Sequence, residues 1–288
     1  MQNQKIMFMT PPKVELKELK NLFFQLCSKT CNLKCKYCYI EKNPYKKEED
    51  FINIDKIKQA LLLVKGQKLN SIYLTGGEPL MHPDFNQILR MCLKISNTTI
   101  MSNGVMINDK KARFLKKIDD ESEFETIYRI SLDSIDEIEN DMYRSRGSYR
   151  KALCAIFSLL KYEFNPIISV INYKNRSREE IFKEFRDFFL KKGFELEDIN
   201  LKIIPFFTKN DETSQVEFVE NMQLDKLDCY NSRIVSQSGV YSCPMLVNDY
   251  RARLGSSLNN CSKISYLDCE KCSICIQTHQ KAQVNDWM

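Results

Sequence analysis

The chain has 288 residues and a mass of 33.9 kDa, long enough to bury roughly three quarters of its unfolded surface without covalent staples. Apolar residues make up 43% and charged residues 28%, with only 8 Gly and 8 Pro, which excludes collagen-like and broadly disordered classes. The charge sum is 43 − 38 = +5, spread along the chain; this is too weak to argue for a nucleic-acid partner.

No apolar run reaches the ~18 residues a membrane span needs. The opening MQNQKIMFMTPPK has no apolar signal core and no small-residue cleavage site, so the expected location is cytoplasmic. Residues 1–20 read as an unstructured N-terminal extension. NLFFQL (21–26) reads as a strand running into a cysteine loop at 27–38, and EKNPYKKEED continues as loop. IDKIKQALLLVKG carries apolar residues at helical spacing with a Gly stop. SIYLTGG is a strand ending in a Gly pair, and PDFNQILRMCLKIS a helix opening on Pro. TTIMSNG is a strand and turn, DKKARFLKKI a helix and TIYRISLDS a strand. YRKALCAIFSLLKYE is an amphipathic helix, followed by the strand PIISVINY. SREEIFKEFRDFFLKKG is a helix between Ser and Gly caps, and INLKIIPFF is the last strand.

Six strands thus alternate with five helices over 21–207. That alternation predicts an α/β fold with parallel strands and crossover helices. Six units suit an open, partial (β/α)6 barrel of TIM type, with chemistry at the C-terminal ends of the strands. Residues 208–228 are polar and acidic and read as a linker. Residues 229–288 have little periodicity and read as a small Cys-rich domain folded around metal.

The chain has twelve cysteines and two histidines, His82 and His279. In a reducing compartment, clustered cysteines read as metal ligands rather than disulfides. The shortage of His favours iron–sulfur over catalytic zinc. Cys92 and Cys154 stand inside apolar helical patterns and read as buried thiols. Cys27, outside the motif spacing, reads as a buried strand-end thiol. The motif itself is CNLKCKYC: Cys31, Cys35 and Cys38, on the loop that leaves the first strand. Three thiolates can hold three irons of a [4Fe–4S] cluster and leave the fourth open.

This CxxxCxxC spacing, with the aromatic Tyr37 before its last Cys, resembles the signature of the radical S-adenosylmethionine (SAM) superfamily. LTGGEPL (74–80) ends the second strand where that family carries its GGEP motif. SNG (102–104), ISLDS (130–134) and MYRSRGSYRKAL (142–153) are similar to further stretches of the family, so the resemblance covers 21 to about 207. It implies that the open iron chelates the amino and carboxylate groups of SAM. One electron from the reduced cluster then breaks the C5′–S bond, and the resulting 5′-deoxyadenosyl radical abstracts hydrogen from substrate. It also implies a low-potential electron donor such as flavodoxin or ferredoxin.

For cofactor-binding residues, Tyr37 can sit beside the adenine or pack on the loop. Gly76 and Gly77 allow a ligand to approach the backbone. Glu78 can accept from the SAM ammonium group, and Pro79 presets the following turn. Asn103 or Ser131 can hydrogen-bond the ribose or carboxylate of SAM, with Asp133 serving there or capping a turn. Arg144 and Arg146 can hold a carboxylate or lie solvated at a helix start.

The C-terminal cysteines 229, 243, 261, 269, 272 and 275 include the run CEKCSIC and a hairpin-like YNSRIVSQSGVYSC with Gly239 at its turn. They resemble the SPASM and twitch extensions of radical SAM enzymes, which hold auxiliary [4Fe–4S] clusters, although the second cysteine group is shorter than the full pattern. One auxiliary cluster on Cys229, Cys243 and two of Cys269, Cys272 and Cys275 is the favoured arrangement; two incomplete clusters and a structural zinc site are the alternatives. The favoured function is modification of a peptide or protein side chain. The others are a small-molecule enzyme such as a GTP cyclase, and a non-catalytic Fe–S carrier or scaffold. The ending NDWM, in place of a diglycine tail, counts against the cyclase. About 20 residues before the first strand leave no obvious room for a peptide-binding leader domain.

Overall fold

A computed structural model describes residues 11–38, 40, 50–197, 200–206, 223–269, 271, 272 and 275. The first strand, β1 (Lys13–Glu15), is followed by β2 (Asn21–Cys27), α1 (Ile54–Val64), β3 (Ser71–Gly76), α2 (Phe85–Cys92), β4 (Thr98–Ser102) and α3 (Asp109–Asp120). The chain continues through β5 (Thr126–Ser131), α4 (Glu137–Arg144), α5 (Ser148–Lys161), β6 (Ile167–Asn172), α6 (Arg178–Leu190) and β7 (Leu201–Pro205). After residues outside the described set come β8 (Ser232–Ser236), β9 (Gly239–Tyr241), β10 (Arg253–Ser257), β11 (Asn260–Cys261) and β12 (Ile264–Tyr266).

Strands β2 to β7 lie side by side in chain order, all parallel. This is the expected partial barrel, because each crossover carries a helix that must return to the same edge. The six-strand alternation holds, with one helix more than periodicity suggested. α4 is polar, with only Asn140 and Arg144 buried, and its Asp136 cap accepts from Glu139 N. The expected caps of α6 are present: Ser177 and Glu180 form a reciprocal capping box, and Gly193 follows with φ +85°.

Two expectations need correction. The start is not wholly unstructured: β1 pairs antiparallel with β12, tying the N-terminal stretch to the C-terminal one. Cys154 is exposed on α5, whereas Cys92 is fully buried; the period of α5 points Ala152, Ala155 and Ile156 inward and leaves residue 154 outside.

The sheet does not end at the barrel. β8 adds parallel to β2, and β9, β10 and β11 continue antiparallel, so ten strands run in the order β11-β10-β9-β8-β2-β3-β4-β5-β6-β7. The hairpin expected around Gly239 is β8–β9. Of the stretch read as a linker, 208–222 lies outside the described residues; the remainder contains two short 3-10 turns, Leu224–Lys226 and Asp228–Tyr230.

Strand alternation divides the core. Leu22, Phe24, Leu26, Ile72, Leu74, Ile100, Tyr128 and Ile130 pack on the helices. Phe23 and Tyr73 point the other way and stack on each other, centroids 4.3 Å apart, in a second cluster with Cys229, Ile234, Tyr241, Cys243, Leu267, Cys269 and Cys272. The cysteine-rich segment therefore packs on the sheet face turned from the helices. No described helix is long and apolar enough to cross a membrane.

Candidate active site

Because β2, β3, β4 and β5 are parallel, their ends at Cys27, Gly76, Ser102 and Ser131 form one rim. The cysteine loop lies over it. Cys31, Cys35 and Cys38 are half-buried, and Cys35 lies in the electrostatic field of the other two. Burial pushes the Cys35 thiol up, against the pull of Arg144. The loop is held from both sides. Gly77 N and Glu78 N donate to Cys27 O and Thr30 O, at 2.8 and 3.1 Å. On the far side Lys36 N donates to Tyr143 O at 2.9 Å, and Lys34 N to Ser145 Oγ at 2.9 Å. Among the described residues no three His, Cys, Asp or Glu side chains converge on one single-ion point.

The two glycines are demanded by backbone contact. A Cβ on Gly76 would lie 2.4 Å from Cys27 O, and one on Gly77 2.2 Å from Thr30 O; Gly76 also has φ +132°. Pro79 opens a short 3-10 turn, Pro79–Met81. Cys27 is fully buried, its Sγ 3.2 Å from Glu78 O, and burial pushes its pKa up to about 12.

Glu78 is not at the surface of the site. It is fully buried: Oε1 accepts from Ser102 Oγ at 2.9 Å and Leu80 N at 3.2 Å, and Oε2 from Asn103 N at 2.9 Å. Its carboxylate clamps the end of β3 to the end of β4. Burial raises its pKa to about 7, opposed by the hydrogen bonds from Asn103, Ser102 and Leu80. Asn103 stands nearer the cysteines: its Nδ2 donates to Asn32 Oδ1 at 2.7 Å and lies 3.8 Å from Cys31 Sγ. Ser131 is half-buried at the rim, and its hydroxyl has no hydrogen-bond partner among the described residues.

Asp133, Tyr37 and Arg144 form one buried network. The Tyr37 hydroxyl donates to Asp133, and Arg144 Nη1 donates to Tyr37 Oη at 2.6 Å and Asp133 Oδ2 at 3.3 Å. Ile171 N also donates to Asp133, at 3.0 Å. Burial pushes the Arg144 pKa down, but Asp133, Tyr37 and Cys35 outweigh it and hold the guanidinium charged. Burial pushes the Tyr37 hydroxyl up, so it stays a donor. Arg144 Nε is buried without a hydrogen-bond partner. Sequence reasoning left Arg144 open between ligand and solvated residue, and Arg146 is the exposed one. The Asp136–Glu139 cap was the available signal for the helix that carries Arg144 inward.

In the C-terminal segment Cys229, Cys243, Cys272 and Cys275 line one cavity with Asp228 and Leu267. Cys269 Sγ donates to Asp268 Oδ1 at 3.6 Å and lies in the electrostatic field of Cys272 and Asp249. Burial pushes Cys229 up to about 12, and pushes Cys243 and Cys275 up as well, with Asp228 adding to each. Cys261 stands elsewhere, on β11, its Sγ 3.3 Å from Leu258 O.

A family model described as the Radical SAM superfamily matches residues 26–192, more than half of the chain. The chain belongs to the radical SAM superfamily. Membership implies a [4Fe–4S] cluster and SAM as cofactors. The residues present fit both: three half-buried thiols on one loop, a glycine pair with no room or need for side chains, and the open Ser131 hydroxyl at the same rim.

Among curated relatives, the antilisterial bacteriocin subtilosin biosynthesis protein AlbA of Bacillus subtilis is 29% identical over 131 residues, 45% of this chain and 28% of AlbA. A probable GTP 3′,8-cyclase of Methanocella arvoryzae is 28% identical over 153 residues, 52% of this chain and 47% of the cyclase. The chain thus spans less than half the length of these relatives. Among solved structures, anSMEcpe with bound AdoMet superposes with a TM-score of 0.63 at 16% identity, covering 91% of this chain and 84% of that one. Streptococcus suis SuiB bound to S-adenosylmethionine superposes at 0.59 and 16%, covering 83% and 63%. At such identity the likeness shows the fold.

Proposed function

We propose that this radical SAM enzyme modifies a peptide or protein side chain and carries one auxiliary [4Fe–4S] cluster in a SPASM- or twitch-like C-terminal domain. The observation that carries the second half is the cavity lined by Cys229, Cys243, Cys272 and Cys275, with Cys269 beside it. Four sulfurs suffice for a fully ligated cubane. Burial keeps the Cys229, Cys243 and Cys275 thiols protonated until a metal displaces the protons. The peptide half is supported by the subtilosin biosynthesis relative and by the fold shared with SuiB. The GTP 3′,8-cyclase relatives support the small-molecule alternative.

In this reading Cys31, Cys35 and Cys38 hold the SAM-binding cluster. When bound, the cluster and SAM supply an electron and the C5′–S bond that it breaks. The chain's own residues do the rest. The glycines let the cysteine loop lie directly on the backbone of 76–77, and Glu78 fixes the rim beneath them. Asp133 and Arg144 hold Tyr37 against the loop, and Asn103 and Ser131 offer side-chain hydrogen bonds to the polar groups of SAM. The leucines and isoleucines behind the rim keep water from the site.

The test is anaerobic incubation of reconstituted enzyme with SAM and dithionite. Release of 5′-deoxyadenosine is expected, and Cys31→Ala, Cys35→Ala or Cys38→Ala should each abolish it. Co-expression with short reading frames neighbouring the gene should yield a peptide of altered mass. Turnover stimulated by GTP and by no peptide would select the small-molecule reading instead. The variant lacking all three loop cysteines should still hold about four irons; zinc alone, or no metal, would remove the auxiliary cluster.

A further inference from the structure

Arg233 on β8 is the largest fully buried side chain of the described residues. A strand arginine with 0% exposure calls for a counter-charge, because a buried cation is costly even when its hydrogen bonds are met. Among the described residues Arg233 bonds to carbonyls only. Nη1 donates to Cys229 O at 2.8 Å and Ser232 O at 2.7 Å, and Nη2 to Lys263 O at 2.8 Å, while Nε is buried with no partner. No described Asp or Glu pairs with it. The titratable groups that act on it electrostatically are two thiols, Cys261 and Cys229. Cys229 belongs to the cavity of the auxiliary site; Cys261 lies outside it.

Neutral thiols provide no counter-charge. Metal-bound thiolates do provide one: a [4Fe–4S]2+ centre on four cysteines carries a net charge of −2. Among the described residues Arg233 therefore meets no anion in the metal-free protein, and it gains one when the site is loaded. Its bond to Cys229 O also fixes the peptide that carries one of the four sulfurs.

We infer that Arg233 is the built-in counter-cation of the C-terminal thiolate–metal centre, positioning Cys229 and raising the reduction potential of the cluster held there. The inference rests on the auxiliary-cluster reading above. The sign follows from charge. Reduction takes the centre from −2 to −3, so a nearby fixed cation favours the reduced state more than the oxidised one.

The test uses the full chain with Cys31, Cys35 and Cys38 all changed to Ala, so that the auxiliary centre is the only one titrated. Midpoints are read by electron paramagnetic resonance during dithionite titration. Arg233→Lys, which keeps the charge, should keep iron and a midpoint within threefold of its parent in the reduction equilibrium. Arg233→Gln should lower that equilibrium tenfold or more, about 59 mV for a one-electron couple. A Gln variant that holds iron at the parent potential would overturn the inference and leave Arg233 as a staple of three carbonyls. Metal-free melting separates the remaining cases. Arg233→Gln that melts like its parent without iron, yet fails to load iron where Arg233→Lys succeeds, supports a required charge. Arg233→Gln that is already unfolded without iron overturns it. If the parent itself holds no iron, the auxiliary-cluster reading has failed, which is distinct from a parent that loads iron and ignores Arg233.

Discussion

Gly77→Ala adds one methyl group where the backbone has no space for it. The new Cβ would stand 2.2 Å from Thr30 O, 2.9 Å from Thr30 C and 3.2 Å from Cys31 Cβ. Real contacts of this kind essentially never fall below 3.0 Å, so Thr30 must retreat by at least 3.0 − 2.2 = 0.8 Å. That retreat breaks the 3.1 Å bond from Glu78 N to Thr30 O. Overpacking costs about 1–3 kcal/mol and a lost hydrogen bond about 1 kcal/mol more. Melting of metal-free protein should therefore fall by roughly 5–15 °C. The functional loss should be larger than the loss in stability. Thr30 precedes Cys31, and a displacement near 1 Å at a reacting centre costs about 100-fold. The assay is 5′-deoxyadenosine release by reconstituted protein, well below the melting temperature. Gly66→Ala is the control: it has φ +84° but no atom within 4 Å of the added Cβ, so it should lose stability and keep full SAM cleavage. Gly77→Ala with unchanged melting and unchanged release would refute the close-approach argument.

Three further outcomes follow from the buried charges and thiols. The Glu78 carboxyl has a folded-state pKa of about 7 against an ordinary 4.5, so the folded state holds its proton more tightly. Its contribution to stability is full below about pH 4.5 and lost as pH rises through about 7, a difference of about 3 kcal/mol; urea unfolding of metal-free protein at pH 5 and pH 8 should show Glu78→Gln flatter than wild type by that amount, and equal slopes would contradict it. Arg144→Met should cost about 3–5 kcal/mol, because Asp133 is left buried without its cation, and adding Asp133→Leu should recover much of the loss; a single variant melting like wild type would show the pair to be idle. Cys92→Ser should cost about 1–3 kcal/mol by burying an unpartnered hydroxyl, while Cys154→Ser, on the exposed face of α5, should stay within about 0.5 kcal/mol.

What could be read from the sequence was local. NLFFQLC, SIYLTG and TIYRIS are buried on both faces and read as near-continuous apolar runs, as parallel strands do, and their order fixed the crossover pattern. CNLKCKYC and the glycine pair sit at strand ends, so loop and rim could be placed from spacing alone. The remainder depends on pairings far apart in the chain. KVE (13–15) has one apolar residue and becomes a strand only because residues 264–266 lie opposite. Glu78 looks like an exposed helix-start acid until Ser102 and Asn103 close over it. Arg144 looks solvated until Asp133 and Tyr37 meet it from other loops. In SRIVS, Arg233 reads as the polar side of a hairpin; it is buried because β8 is an interior strand, flanked by β2 and β9.

The two cysteine groups differ in what completes their surroundings. At the barrel rim the buried ions are matched by protein: Asp133 faces Arg144, and Glu78 accepts from two amides and a hydroxyl. This half is electrostatically closed before any cofactor enters, so it can form the loop and wait for iron. In the C-terminal half, several thiols are buried beside the Asp228 carboxylate, and among the described residues Arg233 finds only carbonyls and sulfurs. Metal ions at that cavity would displace the thiol protons to solvent and oppose the charge of Asp228. The resulting thiolate centre would face Arg233 with an anion. Assembly of the second site is thus expected to be the step that satisfies its own surroundings, so metal binding and ordering of this segment should rise and fall together.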